Sequence, residues 1–168
     1  MTLEQLQKYF PDATLETWHQ HPNGGGWVQN TALVSGNAWV SGDAGVYGYA
    51  QVYGDAQVSG DAQVSGDARV YGDAQVSGNA WVSGNARVYG NARVYGDARV
   101  SGSMDLVYLD GVAEWGSITA FRCRDGKMRL ICGCRFFTLD EARKHWEKRE
   151  DRLRTRLAVE LIGKLFDA

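Results

Sequence analysis

An all-β solenoid with helical appendages is the fold class this sequence predicts, and three observations predict it. From Gly54 to Ser83 the chain reads GDAQVSGDAQVSGDARVYGDAQVSGNAWVS, one six-residue phrase stated five times. Valine recurs at every sixth position from Val28 to Val100, and Leu106 continues the phase. Alanine stands two places before each of these valines from Val34 onward, at Ala32, Ala38 and so on to Ala98. Repetition at a short fixed period is the signature of a stacked architecture.

Each element follows from that phrase. Side chains alternate across a strand, so Ala and Val point together to one side and the residue between them points away. After the valine comes Ser or Tyr, then Gly, then usually Asp or Asn. Gly tolerates positive φ and Asp or Asn suits a turn, so each hexapeptide reads as a very short strand closed by a corner. Asp55, Asp61, Asp67 and Asp73 occupy turn positions that Asn79, Asn85 and Asn91 fill elsewhere. Turn chemistry therefore accounts for these aspartates before calcium binding or DNA mimicry does. The 21 glycines and 2 prolines suit such a regular, turn-rich chain.

An aliphatic residue at every sixth position, with a small residue two before it, resembles the hexapeptide-repeat, left-handed parallel β-helix family. The resemblance implies three hexapeptides per triangular coil and about four to five coils, stacked at the spacing of neighbouring strands. A solenoid cannot bury its own first and last coils, so both ends need caps. Residues 1–27 read as the N-terminal capping segment. Thr2 and Gln5 form a capping box for a helix through Phe10, with a second helical turn over TLETWHQH. Residues 28–106 are the repeat. Residues 107–137 read as a β-hairpin about Asp125-Gly126. Residues 138–168 read as an oligomerisation helix from about Leu139 to Phe166, in one piece or two, with Thr138 and Glu141 as its capping box. The apolar residues at its end cover more of the helical wheel than one buried face requires. Leu157, Leu161, Ile162, Leu165 and Phe166 are thus expected at an oligomer interface. The family resemblance implies a trimer.

Catalysis finds little to build on. Acyltransferases of this family, and carbonic anhydrases of similar shape, depend on histidines. Here His19, His21 and His145 all lie outside the repeat, and no loop interrupts it between Val28 and Val100. Cys123, Cys132 and Cys134 read as reduced thiols on strands rather than a zinc or disulfide framework. No catalytic residue, metal site or cofactor is expected. The net charge of -2 disfavours a dedicated DNA binder. No apolar run is long enough to span a membrane, and the start MTLEQLQKYF is unlike a signal peptide, so a cytoplasmic location is expected.

Binding residues are easier to find. When the residue after each valine is sorted by coil, one column carries Tyr53, Tyr71 and Tyr89, with Arg69 and Arg87 just before the valines. Tyr, Trp and Arg dominate protein-binding hot spots, whereas Tyr beside Arg also suits a base and its phosphate. A plain stiffening ladder is the third reading. The segments HPNGGGWV (His21 to Val28) and DGKMRLICGCRFFTLDEARKHW (Asp125 to Trp146) resemble the termini of phage-encoded repeat proteins. That resemblance implies a non-enzymatic, homo-oligomeric binder that blocks a host protein or sequesters a nucleotide signal. An acyltransferase-like enzyme with an intersubunit site at His145 or His19, and a structural polymer-former, stand as alternatives.

Overall fold

The computed structural model describes residues 1–35, 37–114 and 116–166. Its body is a parallel β-solenoid of about four turns, opened by an antiparallel pair. That pair joins β1 (Trp18–Gln20) to β2 (Trp27–Gln29). Twelve two-residue strands follow. β3 (Leu33–Val34), β6 (Gln51–Val52), β9 (Arg69–Val70) and β12 (Arg87–Val88) form one face. β4 (Trp39–Val40), β7 (Gln57–Val58), β10 (Gln75–Val76) and β13 (Arg93–Val94) form the second. β5 (Gly45–Val46), β8 (Gln63–Val64), β11 (Trp81–Val82) and β14 (Arg99–Val100) continue β2 as the third. Residues eighteen apart are register partners, as in the pairs Arg69↔Arg87 and Val70↔Val88.

The core is the sequence rule made solid. The alanines from Ala38 to Ala98 and the valines from Val40 to Val94 are wholly buried. Each valine is worth roughly 1.5–3 kcal/mol relative to exposure. The repeated aspartates contribute through the main chain. The N–H groups of Asp55, Asp61 and Asp67 donate to the carbonyls of Gly72, Gly78 and Gly84 in the next coil, at 3.0, 3.0 and 2.9 Å.

At the N-terminus the capping box of Thr2 and Gln5 is present, but α1 (Leu3–Leu6) ends well before Phe10. Lys8 and Tyr9 donate back three residues instead, and the chain closes into turns. TLETWHQH makes one turn at Thr14 to Trp18 and then becomes β1, because Trp18 and Trp27 share a small buried cluster with Leu6 and Ala13.

The C-terminal end differs more from expectation. Leu106 does enter the solenoid core, but it also opens a strand, β15 (Leu106–Ala113). The hairpin of β16 (Gly116–Arg122) and β17 (Met128–Cys132) is only the middle of a four-stranded antiparallel sheet. β18 (Arg135–Thr138) completes it. This sheet imitates the coil that would come next. Side-chain oxygens meet backbone donors of the last coil: Tyr108 Oη accepts from Asn91 at 3.2 Å and Thr119 Oγ1 from Arg93 at 3.1 Å. Asp105 accepts from Ser101 N–H at 2.9 Å. Phe121, Cys123 and Ile131 close the end of the apolar prism.

The final helix is broken. α2 (Leu139–Trp146) carries the Thr138/Glu141 capping box, a 3₁₀ turn spans Glu150–Arg152, and α3 (Leu153–Phe166) follows. Arg149 is extended, at φ -98° and ψ 91°, and makes the break. The break lets Ala142 and Trp146 of α2 meet Ala158, Val159 and Ile162 of α3 over the sheet. Across the sheet's edge, Glu114 accepts from Arg154 N–H at 3.0 Å and from the Thr155 hydroxyl, tying α3 down at its first turn. Residues 167 and 168 of the expected helical segment lie outside the described residues.

Candidate functional site

The tyrosine column is a stacked ladder. Tyr53 and Tyr71 lie 5.0 Å apart at 3°, and Tyr71 and Tyr89 lie 5.7 Å apart at 18°. Tyr108 of β15 closes the upper end edge-on, 5.7 Å from Tyr89. Sequence periodicity misses Tyr108 because it falls just beyond the repeat; its hydroxyl contact to Asn91 is what draws it in. At the lower end Ser35 stands one rung below and supplies no ring. Among the described residues, Tyr53 therefore has a stacked ring partner on the Tyr71 side alone.

Register makes the rest of the face. Arg69 and Arg87 are directly paired neighbours, both exposed, one residue before the valines of the same strands. Tyr53 and Tyr71 are half-buried, while Tyr89 keeps 40% of its surface. What this face offers a partner is a row of ring edges and hydroxyls beside two guanidinium groups. The interior faces of the rings are already occupied by one another.

The other sequence-derived candidates separate. On α3, Leu153, Leu157, Leu161 and Leu165 are 57%, 61%, 48% and 45% exposed, a row spaced four residues apart. Ile162, expected with them, has no exposed surface, and Phe166 is half-buried against the same inner cluster. These two belong to the inward face of α3. Beside the leucine row runs a groove of about 470 Å3 between α2 and α3, into which Leu153 and Leu157 project.

The histidines lie apart. His19 Nδ1 meets Asn30 Oδ1 at 2.8 Å, and His21 is buried in its own turn against Asn23. His145 packs against Phe137 at the other end of the chain. Among the described residues no group of three or more His, Cys, Asp or Glu comes together to hold a metal ion. Cys123 and Cys132 are buried, Cys134 is exposed, and none is in a disulfide. Burial pushes the Cys123 and Cys132 thiols up. Among the described residues no helix is long and apolar enough to cross a membrane.

Comparison with known proteins speaks to the repeat. Residues 62–78, 74–90, 80–94 and 92–104 are similar to the family model described as the YdcK beta solenoid repeat. The solenoid fold of this stretch is thus accompanied by a sequence likeness to a β-solenoid repeat family. The matched stretches take in Tyr71, Tyr89, Arg69 and Arg87 but neither cap nor α3, so the similarity concerns the fold of the repeat. No curated protein and no solved structure matches the chain.

Proposed function

We propose that this chain is a non-enzymatic, self-associating β-solenoid that works by binding a protein partner on its tyrosine face. The observation that carries the reading is the ladder's geometry. A base inserted between two rings would need them about 7 Å apart, twice the ~3.4 Å stacking rise. The rings of Tyr53 and Tyr71 stand 5.0 Å apart and fill that space themselves. The exposed edges, hydroxyls and paired arginines instead have the composition of a protein hot spot.

Self-association belongs to α3. Its leucines follow an i±4 ridge, which packs against a like ridge at about -50° rather than as a coiled coil. A trimer, a cytoplasmic setting and a phage-encoded role in blocking a host protein are the finer form of the proposal, supported by the resemblance of the repeat and termini.

One observation favours a second reading. On the side toward Ser35 the Tyr53 ring has no stacked aromatic partner among the described residues, and a single base stacked there would make the solenoid a nucleotide-sequestering protein. Native mass spectrometry of the purified protein tests both. Extra mass released on denaturation, and absent from Tyr53→Ala, supports the nucleotide reading. An oligomer that weighs only its chains, and is reduced to monomer by Leu161→Glu, supports assembly through α3 and leaves the ladder to a protein. Tyr71→Ala should keep the fold and the oligomer; a variant that loses both makes the ladder purely structural.

A further inference from the structure

Away from the tyrosine face, a second concavity of about 290 Å3 gathers cationic groups from three separate elements. The two-residue turn Gly133-Cys134, with Gly133 at φ 62°, places Arg135 as the first residue of β18. His145 stands beside buried Trp146 near the end of α2, its ring against Phe137. The break after α2 then turns the chain so that Arg149 and Arg152 line the same hollow. Nearby ion pairs join Arg143 to Asp140 and Glu160, and Arg152 to Asp151. Arg135 and Arg149 take part in none of these.

We propose that this concavity binds a small phosphomonoester-class dianion, with Arg135 and Arg149 as its guanidinium clamp and His145 as a third donor. Planar guanidinium groups match tetrahedral phosphate oxygens in paired hydrogen bonds, and two of them oppose the charge of a dianion. The volume lies at the small end of ligand sites, enough for a phosphate with a short organic body and too small for a dinucleotide. The half-buried imidazole supplies a donor whose charge answers to the occupant. Burial, then Arg135 and Arg149, hold the proton affinity of His145 below the ordinary histidine range. An anion seated between these groups reverses the repulsion and raises it. The other titratable groups lining the concavity are Cys132 at the end of β17, Cys134 of the turn and Arg152 of the 3₁₀ turn, none of them a carboxylate.

The chain has three histidines, so the imidazole signals of the full-length protein can be followed individually by NMR. The titration is run in chloride and then in inorganic phosphate at matched ionic strength. His145 should titrate at higher pH in phosphate, with His19 and His21 unmoved. Phosphate affinity, read from the same shifts, should fall at least about tenfold in Arg135→Gln or Arg149→Gln, the loss of one charge-assisted contact. It should be unchanged in Arg124→Gln, an exposed arginine elsewhere. Arg149→Lys keeps the charge without the planar fork and should bind at an intermediate level. The proposal is overturned if phosphate leaves His145 unmoved, if all three histidines shift alike, or if Arg124→Gln weakens binding as much as Arg149→Gln.

Discussion

The solenoid and the C-terminal unit solve the same problem of burial in opposite ways. In the solenoid one rule is applied over and over, with Ala and Val inside and a corner outside, so each coil is held by copies of itself. In the C-terminal unit no contact is repeated. Its core mixes Ile118, Met128, Leu130, Trp146 and Ile162, and its junctions hang on single side chains such as Glu114, Asp105 and Thr119. Repetition spreads stability evenly, whereas a unique joint concentrates it.

The largest effect should come from breaking the rule inside the solenoid. Val70 is wholly buried in the third coil, and Val70→Asp places an unpaired carboxylate in an interior with no polar partner. The folded state should be lost outright, seen as loss of the β signal by circular dichroism. The next effect lies at the joint. Thr119 is buried, and Thr119→Val keeps its shape while leaving the Arg93 N–H without an acceptor. A cost of about 1–3 kcal/mol is expected. Hydrogen exchange should quicken in the last coil and leave the middle coils protected. Uniform loss of protection would show that the two regions unfold as one.

Acid should separate the regions by charge. Hydrogen bonds from Thr155 hold the Glu114 carboxyl below the usual range, despite some burial. Burial pushes Asp105 up, but hydrogen bonds from Ser101, Arg122 and Gly102 outweigh it, and the net shift is downward. Both folded-state values are depressed, so the stabilisation is present at neutral pH. It disappears as pH falls through the folded-state values, below the ordinary carboxylate range near 4. Backbone NMR signals of α3 and the sheet should broaden first, ahead of those from the coils. Simultaneous loss would place the acid-sensitive groups elsewhere.

The smallest effect compares two corners of the repeat. Gly66 and Gly96 both have positive φ, 65° and 68°. A Cβ at Gly66 would stand 3.0 Å from the Gly84 nitrogen, while one at Gly96 would meet nothing within 4 Å. Gly96→Ala should cost about 1–2 kcal/mol from the backbone alone, and Gly66→Ala measurably more in chemical denaturation. Equal costs would mean that the stacked coils yield easily at their corners.

What could be read from the sequence tracks this contrast. Val70, Ala68 and Tyr71 were legible because each has counterparts eighteen residues away, and period alone sets their direction. The two capping boxes were legible because they are local, spanning Thr2 to Gln5 and Thr138 to Glu141. Tyr108 and Thr119 were not, since their value lies in contacts with Asn91 and Arg93 across a boundary that no pattern marks. The strand at Leu106 was hidden by its own agreement with the repeat. The break at Arg149 sits in a charged run whose residue types are compatible with helix, and only the packing of Trp146 against α3 reveals it. Ile162 and Leu161 are adjacent and equally apolar, and the sheet beneath α3 decides which one turns inward.

The eighteen-residue register also works as an index of rotation. Removing one full coil of three hexapeptides would shorten the prism and leave every face aligned. Removing a single hexapeptide would still keep each valine inside, yet it would advance all later faces by a third of a turn. The C-terminal unit would then sit over a different side, and, for a hexapeptide removed between them, Tyr53 would no longer stand beneath Tyr71. Chains built on this repeat can therefore gain or lose single hexapeptides without unfolding while changing which surfaces share a face. Length and handed position are coupled in this molecule as the thread of a screw couples advance to angle.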